Sequence, residues 1–206
     1  MSIVVLISGN GSNLQALIDS NQPISHVISS SSTAFGLKRA EKAGIPTTVH
    51  NLQSYYKKLN ATTKEERTNA RNQFNTDLAN IVISMKPDLV VCAGWMLILS
   101  KSFLEPLSDQ NIDIINLHPA LPNAFPGIHA IERAWEAGQK GEISKGGLMI
   151  HYVIAAVDEG EPLIVKELDL KKDETVEEYE NRVHALEHQA IVEGTELALK
   201  TALNRK

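Results

Sequence analysis

The chain has a single cysteine, Cys92, among its 206 residues. One thiol forms neither an internal disulfide nor a cysteine-based zinc site, so a reducing setting is expected and Cys92 reads as a small buried hydrophobe. Long apolar runs are equally scarce. The longest uncharged one, Leu89 to Leu99, falls well short of the roughly 18 to 20 residues that span a bilayer. Met1 and Ser2 lead directly into Ile3-Val4-Val5-Leu6-Ile7 with no basic leader and no small-residue cleavage site, so no signal or transit peptide is expected and the expected location is cytoplasmic. Basic charge is in deficit, with 20 Lys and Arg against 25 Asp and Glu for a net charge of −5. That balance offers no general attraction to nucleic acid or an anionic membrane, so any anionic ligand has to be held by local geometry. With 43% apolar and 22% charged side chains, a disordered or low-complexity chain is excluded, and one domain over residues 1–206 is expected.

What is present is alternation. Short β-branched runs at about 3–8, 24–30, 46–49, 88–93 and 112–117 predict strands. Amphipathic stretches at Leu14 to Ile18 and about 35–43, 64–85 and 128–138 predict helices between them, with 51–70 as a polar lead-in to the third. Two more strands, about 147–154 and 162–170, flank a turn at 157–162, and a charged helix at about 175–201 follows. The pattern predicts an α/β fold: an open, mostly parallel Rossmann-like sheet flanked by helices, with antiparallel strands in the C-terminal part.

Gly9-Asn10-Gly11-Ser12-Asn13 joins the first strand to the first helix, where free backbone N–H groups and the helix dipole favour an anion. Ser12 is placed to cap the helix or to donate its hydroxyl. A dinucleotide fits poorly, because Leu14 stands at the third glycine position of that fingerprint and the second strand ends in Ser29-Ser30-Ser31-Ser32 with no acidic residue for a ribose. No Walker lysine follows the loop either, so a monophosphate is the better ligand. Further along, the two-residue period of a strand puts Asn116 and His118 on one face, and Pro119 stops the ladder beyond them. Ligands of open α/β sheets sit at the carboxyl ends of the strands, where this pair and the glycine loop both fall. Asp158, in a turn with Gly160 and Pro162, reads from its own surroundings as a solvated turn aspartate.

Ile3 to Gln15 (IVVLISGNGSNLQ), Ala93 to Ser100 (AGWMLILS), Ile115 to Pro122 (INLHPALP), Phe125 to His129 (FPGIH) and Gly147 to Pro162 (GLMIHYV followed by VDEGEP) together resemble the folate-dependent formyltransferases. The similarity runs over essentially the whole chain. It implies transfer of a formyl group from the co-substrate 10-formyltetrahydrofolate to the glycine amine of 5′-phosphoribosylglycinamide in purine biosynthesis, with no metal. By the same resemblance Asn116, His118 and Asp158 are catalytic: Asn116 and a protonated His118 stabilise the oxyanion, and Asp158 holds His118 or relays a proton. Gly11, Ser12 and Asn13 take the substrate phosphate and Glu187 its ribose. Arg71, Trp95, Met96, Leu97, Ile98, Leu99, Ala155 and Ala156 become the folate-binding set. Without the resemblance, Glu187 is a solvated helix charge, Arg71 a surface arginine and the 95–99 segment core packing. His129 and His151 are further candidates.

Leu97, Met149 and Glu161 depart from the common pattern, where many relatives carry an arginine, a small hydroxyl residue and a glycine. The expected partners are small molecules, with no nucleic acid and no membrane, and the expected state is a monomer or a homodimer. Rival functions are a formyltetrahydrofolate deformylase and a methionyl-tRNA transferase, for whose appended domains the chain is expected to have no room. A nicotinamide-dependent oxidoreductase and a non-catalytic nucleotide-binding module complete the alternatives.

Overall fold

A computed structural model describes residues 1–205. In chain order the elements are β1 (Ile3–Ile7), α1 (Ser12–Asp19), β2 (Ile24–Ser29), α2 (Phe35–Lys42), β3 (Thr47–Val49), α3 (Leu52–Lys58), α4 (Lys64–Ser84), β4 (Leu89–Cys92), α5 (Lys101–Asp109), β5 (Asp113–His118), α6 (Ala130–Gln139), β6 (Lys145–Tyr152), β7 (Pro162–Asp169) and α7 (Val176–Asn204). They build one seven-stranded sheet in the order β3-β2-β1-β4-β5-β6-β7. β3, β2, β1, β4 and β5 pair in parallel, and β6 and β7 are added antiparallel. The expected fold class is therefore the observed one.

Strands β1 and β4 are buried at every residue, as a parallel sheet covered on both faces requires. Their pleat divides the core in two. Ile3, Val5, Ile7, Leu89 and Val91 pack with Leu14, Leu17, Ala190 and Ile191 on the α1 and α7 side. Val4, Leu6, Val90 and Cys92 pack with Phe74, Leu78, Phe103 and Leu107 on the α4 and α5 side. Cys92 is buried and unpaired, and burial pushes its thiol up to about 12. The outer strand β7 alternates between exposed and half-buried residues, with one face towards water.

The two longest helices begin at capping boxes. Thr63 with Glu66 starts α4, and Thr175 with Glu178 starts α7; each satisfies backbone donors that a helix end otherwise leaves bare. Two helices were not foreseen. α3 lies inside the polar segment 51–70 and is held at its start by the Asn51 side chain; its apolar face is only the short stripe of Leu52, Tyr55 and Tyr56 packed against the core. α5 carries Pro106 in its interior, a residue that normally ends a helix; burial of Phe103 and Leu107 on its inner face overrides that signal. Among the described residues no helix is long and apolar enough to cross a membrane.

Candidate active site

The parallel strands β1, β4 and β5 all end at one edge of the sheet, and a cavity of about 420 Å³ opens there. This is the usual ligand crevice of an open α/β sheet, within the roughly 300–1,000 Å³ range of small-molecule sites. Asn13, Trp95, Met96, Leu97, Ile98, Leu99, Asn116, His118, Asp158 and Glu187 all line it.

At its centre Asp158 bridges two histidines. Its Oδ2 lies 3.4 Å from His118 Nδ1, its Oδ1 lies 3.5 Å from His151 Nε2, and the Gly127 N–H donates to Oδ2 at 2.9 Å. The solvated-turn reading of Asp158 is thus overturned: the side chain is only 11% exposed, and a φ of +57° turns it inward, a conformation that Asp and Asn tolerate best among non-glycine residues. Burial works to raise its carboxyl. The His151 hydrogen bond, the Gly127 N–H and the positive potential of His118 outweigh burial and hold the carboxyl below the ordinary aspartate value.

Both ring nitrogens of His118 face oxygen: Nδ1 the Asp158 carboxylate, and Nε2 the Phe125 carbonyl at 3.2 Å. Protonation would satisfy both contacts. Burial nevertheless dominates, and with His151 nearby it lowers His118 from 6.5 despite the attraction of Asp158. His151, only 2% exposed, sits with Nδ1 at 2.9 Å from the Tyr152 carbonyl. A carbonyl only accepts, so Nδ1 carries a proton. Nε2 faces both the Asn116 amide nitrogen at 3.3 Å and Asp158 Oδ1 at 3.5 Å, which brings Asn116 into the same cluster.

The glycine loop closes the other end. Gly11 has φ +76° and is the residue that caps α1, so Ser12 begins the helix instead of capping it. Asn13 Nδ2 donates to Glu187 Oε2 at 3.2 Å, while Asn13 Oδ1 is buried with no partner. Glu187 is 6% exposed, not a solvated helix charge. Burial raises its carboxyl pKa, partly offset by the Asn13 amide and by His184 and His188. Behind the loop, Arg39 donates to the Asn10 carbonyl at 3.0 Å, to Asn10 Oδ1 at 3.0 Å and to Gln15 Oε1 at 3.2 Å. Gly36 packs against the loop so closely that a Cβ there would meet Ile7 Cδ1 at 2.5 Å and Gly11 Cα at 3.3 Å. Gly36→Ala should therefore shift the loop, raising KM for a phosphorylated substrate about tenfold while kcat changes little. Steady-state kinetics with each substrate varied in turn checks this.

Between these ends the 95–99 segment forms an apolar wall, with Met96 70% and Ile98 66% exposed and Trp95 buried. Leu97 belongs to this wall. Val153, Ile154 and Val157 line the same cavity. Other expectations do not converge on it. Arg71 is exposed, with its Nε bonded to the Tyr56 hydroxyl at 2.6 Å, and is absent from the cavity wall. Ala155 faces a second cavity beside α5, and Ala156 is exposed. Gly11 and Ser12 stand behind Asn13, not on the wall. Met149 is buried in β6 and Glu161 is exposed, so neither departure from the family pattern reaches the wall. His129 lies on the rim, 3.5 Å from Glu132. His184 was missed. It lines the cavity three residues before Glu187 on α7, and that helical spacing was the available signal. Among the described residues no group of three or more His, Cys, Asp or Glu is arranged to hold a metal ion.

A family model described as formyl transferase matches residues 1–195. The chain belongs to the formyl transferase family. This formyl transferase is 50% identical over 201 residues to the phosphoribosylglycinamide formyltransferase of Schizosaccharomyces pombe, with 94% of each chain covered. It is 52% identical over 204 residues to that of Saccharomyces cerevisiae, again covering 94% of each. Among solved structures it resembles glycinamide ribonucleotide transformylase 1 from Symbiobacterium toebii, with a TM-score of 0.81, 31% identity, and coverage of 98% of this chain and 88% of that one.

Proposed function

We propose that this formyl transferase moves the formyl group of 10-formyltetrahydrofolate onto the amine of 5′-phosphoribosylglycinamide, a step of purine biosynthesis, and that Asn116, His118 and Asp158 carry the chemistry. The observation that supports these roles most directly is the Asp158 carboxylate bridging His118 and His151 in one cavity with Asn116. The cavity suits both substrates. Backbone N–H groups of Gly11, Ser12 and Asn13 at the start of α1 offer an anion site for the phosphate, and the Glu187 carboxylate with the orphaned Asn13 Oδ1 offers acceptors for ribose hydroxyls. Trp95, Met96, Leu97, Ile98 and Leu99 would hold the flat folate against an apolar surface.

10-Formyltetrahydrofolate supplies the formyl group. As the amine adds to the formyl carbon, charge develops on the formyl oxygen, and the amide of Asn116 is the donor for it; one such donor is worth roughly 100- to 1,000-fold in rate. Neutral His118 takes the proton released by the attacking amine. Asp158 stabilises the resulting imidazolium through Nδ1, so the ring is charged only during turnover. Returned from His118, that proton goes to the departing folate nitrogen, and the balance closes with no net proton released. The lone cysteine and the small-molecule substrates fit work in the cytoplasm, as a monomer or homodimer, with residues 1–206 acting as one unit and without nucleic acid.

Purified protein should consume 10-formyltetrahydrofolate, followed by the folate absorbance change, only when phosphoribosylglycinamide is present. Release of formate without the amine would mean a deformylase, and tight binding of a nicotinamide cofactor would mean an oxidoreductase.

A further inference from the structure

We propose that Arg133 is a positioning residue for this reaction, fastening the 119–129 strap whose backbone holds Asp158 and His118. This rests on the functional roles above. Two strap groups touch the catalytic pair: the Gly127 N–H donates to Asp158 Oδ2 at 2.9 Å, and the Phe125 carbonyl lies 3.2 Å from His118 Nε2. The strap's own backbone supports part of this conformation: the Ala124 N–H donates to the Leu121 carbonyl at 3.0 Å, and Asn123 and Gly127 take positive φ angles of 63° and 81° readily. Phe125 does not: at φ 47° its bulky side chain disfavours the left-handed region, and it persists there only when the surroundings impose it.

Arg133 imposes it from α6. Its Nη2 donates to the Pro126 carbonyl at 2.9 Å, and its guanidinium lies 5.6 Å from the centre of the Phe125 ring. That ring packs from its other surroundings against the apolar cluster of Ile131, Ala134, Tyr179 and Val183. Phe125 is thus held by the cluster and by the guanidinium, and Pro126 is tied to the same side chain. Gly127 follows directly. One arginine therefore holds the Pro126–Gly127 peptide unit by its carbonyl, the same planar unit whose N–H meets Asp158, and packs on the Phe125 ring before it, although it touches neither Asp158 nor His118. A planar fork suits this double task better than an ammonium, because it stacks on the ring and donates in its plane at once.

The groups around Asp158 are His118 from β5, His151 from β6 and the Gly127 N–H from the strap. His129 with Glu132 stands at the rim, and Glu187 and His184 line the cavity from α7. Loosening the strap removes the Gly127 donor, which raises the affinity of Asp158 for a proton. At His118 it relieves burial, which holds the ring's pKa down, and weakens the Ala124 and Phe125 backbone contacts, which hold it up. Burial is the largest of these influences on His118, so the pair binds protons more readily.

The test is Arg133→Met, which keeps an apolar stem over Phe125 but has neither charge nor donor, alongside Arg133→Lys. We expect kcat to fall about 10- to 100-fold for Arg133→Met, with KM for phosphoribosylglycinamide within about threefold of the parent because the glycine loop is untouched. The acid limb of the pH profile should move to higher pH, and Arg133→Lys should recover part of kcat. In an Asp158→Asn background the same change should cost little more, since its effect runs through that carboxylate. Hydrogen exchange should quicken in 119–129 while β1 and β4 keep their protection. Parent-like kcat, an unmoved acid limb, or unchanged exchange in the strap would overturn the proposal. A parent protein that transfers no formyl group would sink the functional roles instead, and the exchange comparison would still decide whether Arg133 fastens the strap.

Discussion

Asp158→Asn lowers kcat by about 100- to 10,000-fold and leaves the fold intact. The substitution is close to isosteric, and asparagine accepts the left-handed backbone at φ +57° as readily as aspartate does. What is lost is charge. The carboxylate meets His118 Nδ1 at 3.4 Å and His151 Nε2 at 3.5 Å, so it favours the imidazolium that forms when His118 takes the amine proton. A neutral amide removes that stabilisation and places an N–H₂ group where a ring nitrogen or the Gly127 N–H expects an acceptor. Steady-state rates paired with thermal unfolding provide the check. A variant with the parent's midpoint and a kcat within about threefold of the parent would remove Asp158 from the chemistry.

His118→Asn should cost at least about 100-fold in kcat, and the pH dependence of both rate and stability should identify the cause. Burial lowers the His118 pKa from 6.5, so the free protein should lose kcat/KM as the pH falls, with a midpoint below 6.5. The stability effect has the same sign. A histidine whose folded pKa is depressed binds its proton more readily in the unfolded chain, so stability is full above the unfolded value of 6.5 and is lost as the pH falls from there through the lowered folded value. His26 and His50 are also lowered by burial and add to this slope. The informative quantity is therefore a difference. Between about pH 7.5 and about pH 5.5 the parent should lose more thermal stability than His118→Asn does. Equal losses would show that the ring carries no such penalty.

The two variants also separate the roles. Asp158→Asn keeps a base with poorer support, so some pH-dependent activity should survive. His118→Asn removes the base itself and should leave a rate with little dependence on pH near neutrality. Neither should change KM for the phosphorylated substrate much, because the glycine loop and the Asn13–Glu187 pair make no contact with the Asp158, His118 and His151 cluster. By contrast, Gly36→Ala acts on that loop alone.

Much of this was legible along the chain because it depends on neighbours in sequence. The fully apolar runs at Ile3–Ile7 and Leu89–Cys92 demand a sheet covered on both faces. Glycines between β1 and α1 mark a tight strand-to-helix turn, which Gly11 makes at φ +76° against Gly36. The two-residue period puts Asn116 and His118 on one face whatever the rest of the chain does. The residues with weak or contradictory local signals were the ones misread. α3 has an apolar face of only three residues, Leu52, Tyr55 and Tyr56, inside a polar segment, α5 contains Pro106, and Ser12 begins the helix that Gly11 caps.

Only the tertiary structure decided how side chains from distant elements meet. Asp158, a solvated turn residue by its neighbours, becomes a half-buried bridge because β5 and β6 pair with Asn116 opposite His151 and the strap delivers the Gly127 N–H. Glu187 becomes a buried carboxylate because α7 packs beside α1 and brings it to Asn13. Arg71, placed with the folate by resemblance, bonds to Tyr56 on α3, a helix the sequence pattern did not predict. Periodicity records which face of one element a residue occupies. It holds no record of what stands opposite, and burial, protonation and hydrogen-bond partners all depend on that.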